Sequence, residues 1–271
     1  MKYNNELKVI DTPDKAYLLG FMYGDGTITT YVEKTGRIRH LTKISIHEHD
    51  EELINDLYNK FGFFNKGSFD YSIYNEKSGI QKSLVKSSKK LFNDLILNGV
   101  YPRKSYENKS SMKLPEIDKT LISHFIRGFF DADGSVYTPT NRKNLISIEL
   151  CSVSKLFINE INNYLINLDI IPWKIREKPP KGKSKQILYI LTYNKTSEIL
   201  KLIDLMYKDN TISMRRKREI CLNYKPVNKV LDRNLSCPNC NSINVTKNGV
   251  RGKAQRFYCE DCKKGFSVKI C

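Results

Sequence analysis

The stretches Leu18–Gly26 (LLGFMYGDG) and Ile126–Gly134 (IRGFFDADG) decide the fold. Each is an apolar run of helical length that closes on an acid and a glycine, Asp25-Gly26 and Asp133-Gly134. Small residues recur four apart in both: Gly20 and Gly24 in the first, Gly128 and Ala132 in the second. Residues at that spacing share one helix face, and a stripe of small ones lets two helix backbones touch. A lone Asp-Gly is most often an ordinary turn. Two in matching contexts, offset by 108 residues (25 to 133), predict an internal duplication whose motif helices pack together and bring Asp25 and Asp133 side by side.

The order of elements repeats on either side. After the first motif come a strand-like run Thr27–Tyr31, the turn Lys34-Thr35-Gly36 and a second strand Arg37–Ile46. An amphipathic helix follows, with Leu53, Ile54, Leu57, Tyr58 and Phe61 on one face and Asp50 as its N-cap, stopped by Gly62. A hairpin Phe69–Leu84 turns around Lys77-Ser78-Gly79, and a helix Ser88–Asn98 ends at Gly99. After the second motif the same order predicts strands Ser135–Tyr137 and Leu145–Leu150, with a polar turn at 138–144 between them. Next comes a helix carrying Phe157, Ile158, Ile161, Leu165 and Leu168, then a hairpin Trp173–Tyr193 and a helix Ser197–Lys208. Trp173, the only tryptophan, is expected in the core. The prediction is an α+β protein of two pseudo-symmetric αββαββα halves, 8–118 and 119–222, each with an antiparallel sheet. Residues 223–236 read as a linker, and 237–271 as a module too short for a core without a staple.

Two carboxylates at the C-terminal ends of adjacent helices repel each other and the negative ends of the helix dipoles, so a shared cation is expected between them. Oxygen-only ligands suit Mg²⁺, and metal-assisted phosphodiester hydrolysis is the reaction such a site would support.

The paired motifs resemble those of the LAGLIDADG homing endonucleases, and the likeness covers residues 8–222. It implies two halves joined by their motif helices, with both sheets forming a saddle over a long, pseudo-palindromic duplex site. It also implies a monomer that cuts both DNA strands to leave short 3′ overhangs. By the resemblance Asp25 and Asp133 bind catalytic Mg²⁺, helped by the carbonyls of Gly24 and Ala132. A basic residue late in each half stands near the metal; Lys104 in PRKS (102–105) and Lys217 in RRKR (215–218) fit that role. The chain departs from the family pattern at Tyr23, where an acid is usual and which Asp131 retains in the second motif. It departs again at Arg127, which replaces an alanine and is expected to point away from the helix seam. Intron RNA is a second partner for a maturase on this scaffold, and a non-cutting DNA-binding regulator is a rival from another class. An intein is not expected, because the chain starts with Met1 and ends in Cys271 without a C-terminal His-Asn pair.

Lysine and arginine number 46 against 29 acids, a formal charge of +17 that favours polyanionic partners. Alternation in the second strand puts Arg37, Arg39 and Lys43 on one face as candidate DNA contacts. Lys181, Lys183 and Lys185 in the loop 178–185 are candidate phosphate contacts. His47-Glu48-His49 lacks the spacing of a helical two-histidine metal site.

Cys237-Pro-Asn-Cys240 and Cys259-Glu-Asp-Cys262 are two Cys-x-x-Cys knuckles at a spacing that can deliver four thiolates to a structural Zn²⁺. The segment resembles the zinc ribbons of transposases and nucleic-acid-processing proteins. Residues 237–271 hold seven Lys/Arg and two acids, and a four-thiolate zinc would reduce their +5 to +3. Cys151, Cys221 and Cys271 read as bystanders. This cysteine usage, with no signal peptide or transmembrane stretch, leads us to expect a reducing cytoplasmic setting and no membrane partner.

Overall fold

The computed structural model describes residues 7–70, 80–139, 145–180, 185–209, 212–226, 235–252 and 254–269. The chain divides into two compact units, Met1–Pro226 and Val227–Cys271.

The first unit opens on α1 (Pro13–Tyr23), where Thr12 Oγ1 accepts from Lys15 N at 3.3 Å and Pro13 occupies the first turn. Every residue from Asp14 to Tyr23 is buried, so this helix is enclosed on all sides. Strands β1 (Gly26–Val32) and β2 (Ile38–His47) follow, then α2 (Glu51–Phe61), β3 (Asn65–Asp70), β4 (Ile80–Ser87) and α3 (Lys89–Leu97). The strands form one antiparallel sheet in the order β1-β2-β4-β3. Helix α2 ends at Gly62 with φ 66°, and α3 starts from Ser88, whose Oγ accepts from Leu91 N.

The second half repeats this order in α4 (Ile122–Asp133), β5 (Ser135–Tyr137), β6 (Ser147–Ser152), α5 (Lys155–Asn167), β7 (Lys174–Lys178), β8 (Leu188–Tyr193) and α6 (Thr196–Tyr207). Its sheet runs β5-β6-β8-β7, strand for strand the order of the first. One hydrophobic core, from Leu7 to Cys221, spans both halves. The expected αββαββα halves with antiparallel sheets are therefore present, with one addition.

The addition is α7 (Arg215–Leu222). Only Lys217 and Cys221 of this helix are buried, four residues apart, and a basic segment with so little apolar periodicity gives no helical signal in sequence. Other expectations also need correction. Trp173 is 68% exposed rather than core, because it precedes edge strand β7, where its backbone N–H donates to Thr192 O at 2.8 Å. Asp50 stands at the N-cap position of α2, but with φ −107° and ψ 20° its side chain does not cap the helix. Its carboxylate pairs instead with Arg216 at 3.0 Å, joining the two halves. Arg37 lies just before β2 rather than within it.

The second unit is a three-stranded antiparallel sheet, β9 (Val245–Arg251), β10 (Ala254–Cys259) and β11 (Gly265–Lys269), in the order β11-β10-β9. Buried Phe257 stacks on Phe266, with ring centroids 5.4 Å apart. Lys181, Lys183, Cys271, the turn Lys77-Ser78-Gly79 and most of the linker lie outside the described residues.

Candidate active site

The motif helices α1 and α4 touch backbone to backbone, and the glycines show how closely. A Cβ on Gly20 would lie 2.0 Å from Phe125 O; a Cβ on Gly128 would lie 2.0 Å from Tyr17 O. The same offset of 108 residues relates both pairs, so the seam has approximate two-fold symmetry. Toward the C-terminal ends, a Cβ on Gly24 would lie 2.4 Å from Ala132 Cβ and 3.2 Å from Asp133 Cγ. Asp25 follows Gly24 directly, and the two acids meet at the foot of the seam.

Their electrostatics confirm the encounter. The Asp133 carboxyl is pushed up to about 6, first by burial and then by the charge of Asp25. Asp25 is also raised, by desolvation of its carboxyl, with Lys217 and then Lys104 acting against the rise. Without a cation these carboxylates resist ionisation, which is the condition a divalent metal relieves.

Lys104 and Lys217 do flank the acids. Lys217 is buried and donates to Phe130 O (2.8 Å), Asp131 O (2.7 Å) and Gly134 O (2.7 Å), which uses all three of its N–H groups. It therefore caps the C-terminal carbonyls of α4. Lys104 donates to Gly26 O, the counterpart of Gly134 O in the first half. Burial lowers the pKa of both lysines, while both acids raise it.

Arg127, which departs from the motif pattern, is buried: its Nε donates to Ile212 O (2.9 Å) and its Nη1 to Met206 O (2.8 Å) in the last turn of α6. Asp131 is fully buried away from solvent and accepts from Tyr17 OH (2.7 Å) and Met214 N (2.6 Å).

The sequence model of the LAGLIDADG-like domain matches residues 120–205. Solved structures of similar shape include mesophilic variants of the homing endonuclease I-DmoI, with 16% identity, a TM-score of 0.47, and 76% of this chain and 99% of that chain covered. I-DmoI in complex with DNA and Ca is 15% identical over 77% of this chain and 96% of that chain, with a TM-score of 0.49. The meganuclease I-SmaMI bound to uncleaveable DNA is 12% identical over 76% and 86%, with a TM-score of 0.49. No curated protein matches the sequence.

In each half the sheet buries one face under helices and turns the other outward. In β2, Thr42, Ile44 and Ile46 are buried, while Arg39, Lys43, Ser45 and His47 occupy the opposite face. Arg39 pairs with Glu33 at 2.7 Å; Arg37 and Lys185 are exposed. The matching face of the second half carries Lys174, Arg176 and Lys178 at alternate positions of β7, opposite Thr192, Ile190 and Leu188. Sequence reasoning missed this stripe, although the alternation KIREK (174–178) encodes it. Arg176 reaches across β8 to pair with Glu149 on β6. Exposed Trp173 shares a surface concavity with Tyr137, Glu149 and Arg176.

Cys151, read as a bystander, lies next to the acids. Its thiol donates to Asp133 O at 2.7 Å and is pushed up to about 12, by burial first and then by the Asp133 charge.

In the second unit the sulfurs of Cys237, Cys240, Cys259 and Cys262 all lie within 4.8 Å of one another. Cys237 and Cys262 are 3.5 Å apart, and Cys240 and Cys259 3.6 Å. Tetrahedral Zn–S bonds near 2.3 Å set neighbouring sulfurs about 3.8 Å apart, so the donor set fits zinc; disulfides would bring them to about 2 Å. The two knuckles are built alike. Cys237 N donates to Ser242 O and Cys259 N to Lys264 O, and the residue after each second cysteine, Asn241 or Lys263, takes a left-handed φ of 57° or 59°. Among the described residues this is the one cluster of three or more potential metal ligands, and the His47–His49 segment forms none.

Proposed function

We propose that this chain is a site-specific, double-strand DNA endonuclease that hydrolyses phosphodiester bonds with Mg²⁺ and acts as a monomer. The observation that carries the reading is the meeting of Asp25 and Asp133 at the foot of a glycine-lined seam, with the charge of Asp25 helping to raise the Asp133 pKa. The match of residues 120–205 to the LAGLIDADG-like domain supports it.

Divalent cations held by Asp25 and Asp133 would supply the Lewis acidity that phosphodiester hydrolysis needs. The carbonyls of Gly24 and Ala132 are the further oxygen donors we assign. Lys104 and Lys217 place positive charge beside the reacting phosphate while holding the helix-end carbonyls in place. Duplex DNA lies against the outward sheet faces, where Arg37, Arg39, Lys43, Lys185 and the β7 stripe meet phosphates and base edges. Zn²⁺ at the four cysteines is structural, because a four-thiolate site has no open position for water.

The test is cleavage of the uninterrupted DNA junction into which the reading frame inserts, with Mg²⁺, by the wild type and by Asp133→Asn. Wild-type cutting of both strands and loss of cutting in the variant are expected; equal nicking by both proteins would remove the mechanism.

A further inference from the structure

The position where the first motif carries Tyr23 and the second Asp131 has no metal to hold on the reading above, yet both side chains bond to the chain that leads to a lysine; Asp131 also accepts from Tyr17 OH (2.7 Å) and Tyr207 OH (3.4 Å). Tyr23 is 1% exposed, and its hydroxyl donates to Asn98 O at 2.9 Å. Asn98 caps the C-terminus of α3, and the chain runs from there to Lys104. A Cβ on Gly99 would lie 2.1 Å from the Tyr23 hydroxyl, so the chain at Gly99 is moulded to that oxygen. Asp131 accepts from Met214 N at 2.6 Å. Met214 is the N-cap of α7, three residues before Lys217.

Both residues thus fasten the stretch of chain that delivers the lysine of their own half. The hydrogen bonds have opposite polarity: the first stretch offers a carbonyl and needs a donor, the second offers an N–H and needs an acceptor. The lysines themselves are not related by the 108-residue offset, yet they converge on the equivalent carbonyls Gly26 O and Gly134 O. Different connecting chains require different fasteners to reach the same end point.

We infer that Tyr23 and Asp131 are complementary positioning residues, each setting the lysine of its own half, Lys104 or Lys217, against the motif end. The tyrosine is then the residue its half requires rather than a lost acid. An aspartate at position 23 would be too short to reach the Asn98 carbonyl and has, when ionised, no proton to donate to it.

The inference rests on the endonuclease reading only for its consequence in cleavage, so two measurements separate them. The first reads the lysines directly, by mass-spectrometric mapping of acetic anhydride labelling on the full-length, zinc-loaded protein. Tyr23→Phe keeps the ring, which packs 4.9 Å from Phe125 and 5.2 Å from Phe157, and removes one hydroxyl. It should raise labelling of Lys104 by about 3- to 10-fold, the range one lost buried hydrogen bond gives, and leave Lys217 at the wild-type rate. Asp131→Ala should do the reverse. Asp131→Asn keeps an acceptor for Met214 N and should label as wild type. If Asn behaves as Ala, Asp131 acts through its charge and the inference falls; it also falls if either variant changes both lysines equally or neither.

The second measurement follows each DNA strand separately at saturating enzyme. Tyr23→Phe should slow one strand and Asp131→Ala the other, by about 3- to 10-fold, with duplex affinity unchanged; Tyr23→Asp should slow the Tyr23 strand further. Equal slowing of both strands overturns the inference. A wild type that cuts neither strand removes the endonuclease reading, and the labelling result still decides the inference.

Discussion

Replacing Gly20 by alanine sets a methyl carbon 2.0 Å from the Phe125 carbonyl oxygen and 2.8 Å from its carbon. Neither atom can swing aside, since both belong to the backbone of α4. A carbon–oxygen contact needs about 3.3 Å, so the helices must part by roughly 1.3 Å at this point, enough to forfeit a large share of the dispersion energy along the seam. Overpacking of a core costs about 1–3 kcal/mol, and two rigid walls place this case at or above the upper end. The better helix propensity of alanine returns about 1 kcal/mol at most. The net loss is about 2–3 kcal/mol, or a melting temperature lower by roughly 4–12 °C for a unit of this size. Gly128→Ala should match it, because its Cβ would meet Tyr17 O at 2.0 Å. Gly36→Ala is the control: its φ is 79° with nothing within 4 Å of the added carbon, so only the left-handed backbone cost of about 1 kcal/mol applies. Thermal unfolding of the three variants by circular dichroism decides the matter. If Gly20→Ala and Gly128→Ala melt no lower than Gly36→Ala, the helices are not in backbone contact and the approach of Asp25 to Asp133 loses its cause.

Asp131 and Asp133 are both pushed up to about 6, so between the ordinary aspartate value and pH 6 the folded protein holds protons that the unfolded chain releases. In EDTA the melting temperature should therefore fall as pH rises from about 4 to 6, and Mg²⁺ should recover it above pH 6; a metal-free melting temperature that rises over this range refutes the assignment. Cleavage should rise with pH through about 6 as the acids ionise, and a rate flat from pH 5 to 8 contradicts that. Cys259→Ser should lower the zinc content from one per chain, measured by atomic absorption; unchanged zinc removes the four-thiolate site. Trp173→Ala should leave the melting temperature within about 1 °C, because the ring is 68% exposed, and weaken duplex binding several-fold by fluorescence anisotropy; full affinity would show that the aromatic surface takes no part.

The parts of this fold that sequence could announce are those written in spacing. Gly20 and Gly24 against Gly128 and Ala132 encode a seam because only small residues permit it, and Thr42, Ile44 and Ile46 encode a buried sheet face because strand side chains alternate. The paired Cys-x-x-Cys knuckles are legible for the same reason: tetrahedral geometry tolerates few spacings. What sequence could not announce depends on tertiary neighbours. Lys217 is a buried helix cap whose run, RRKR, looks solvated until α7 and the end of α4 are seen together. Trp173 is large and apolar, yet the sheet edge leaves it uncovered. Cys151 carries no motif, and its place beside Asp133 comes from the register of β6 against β5, where Ser135 faces Glu149.

The lysines explain why the acids are free to act. An ammonium group beside a carboxylate ordinarily forms a salt bridge, which lowers the carboxylate pKa and spends its lone pairs. Here Lys217 gives all its N–H groups to the carbonyls at the end of α4, and Lys104 binds Gly26 O. Their charge reaches Asp25 and Asp133 only through space, too weakly to reverse the rise that burial causes. The positive charge thus quiets the helix-end dipoles while the carboxylate oxygens stay available as ligands. Substituting Lys217 by a neutral side chain would take a donor from Phe130 O, which keeps Gly134 N, and from Asp131 O and Gly134 O, so the end of α4 should loosen. Two lysines held by backbone oxygens, rather than by the acids they stand beside, leave the lone pairs of this pair of aspartates unspent.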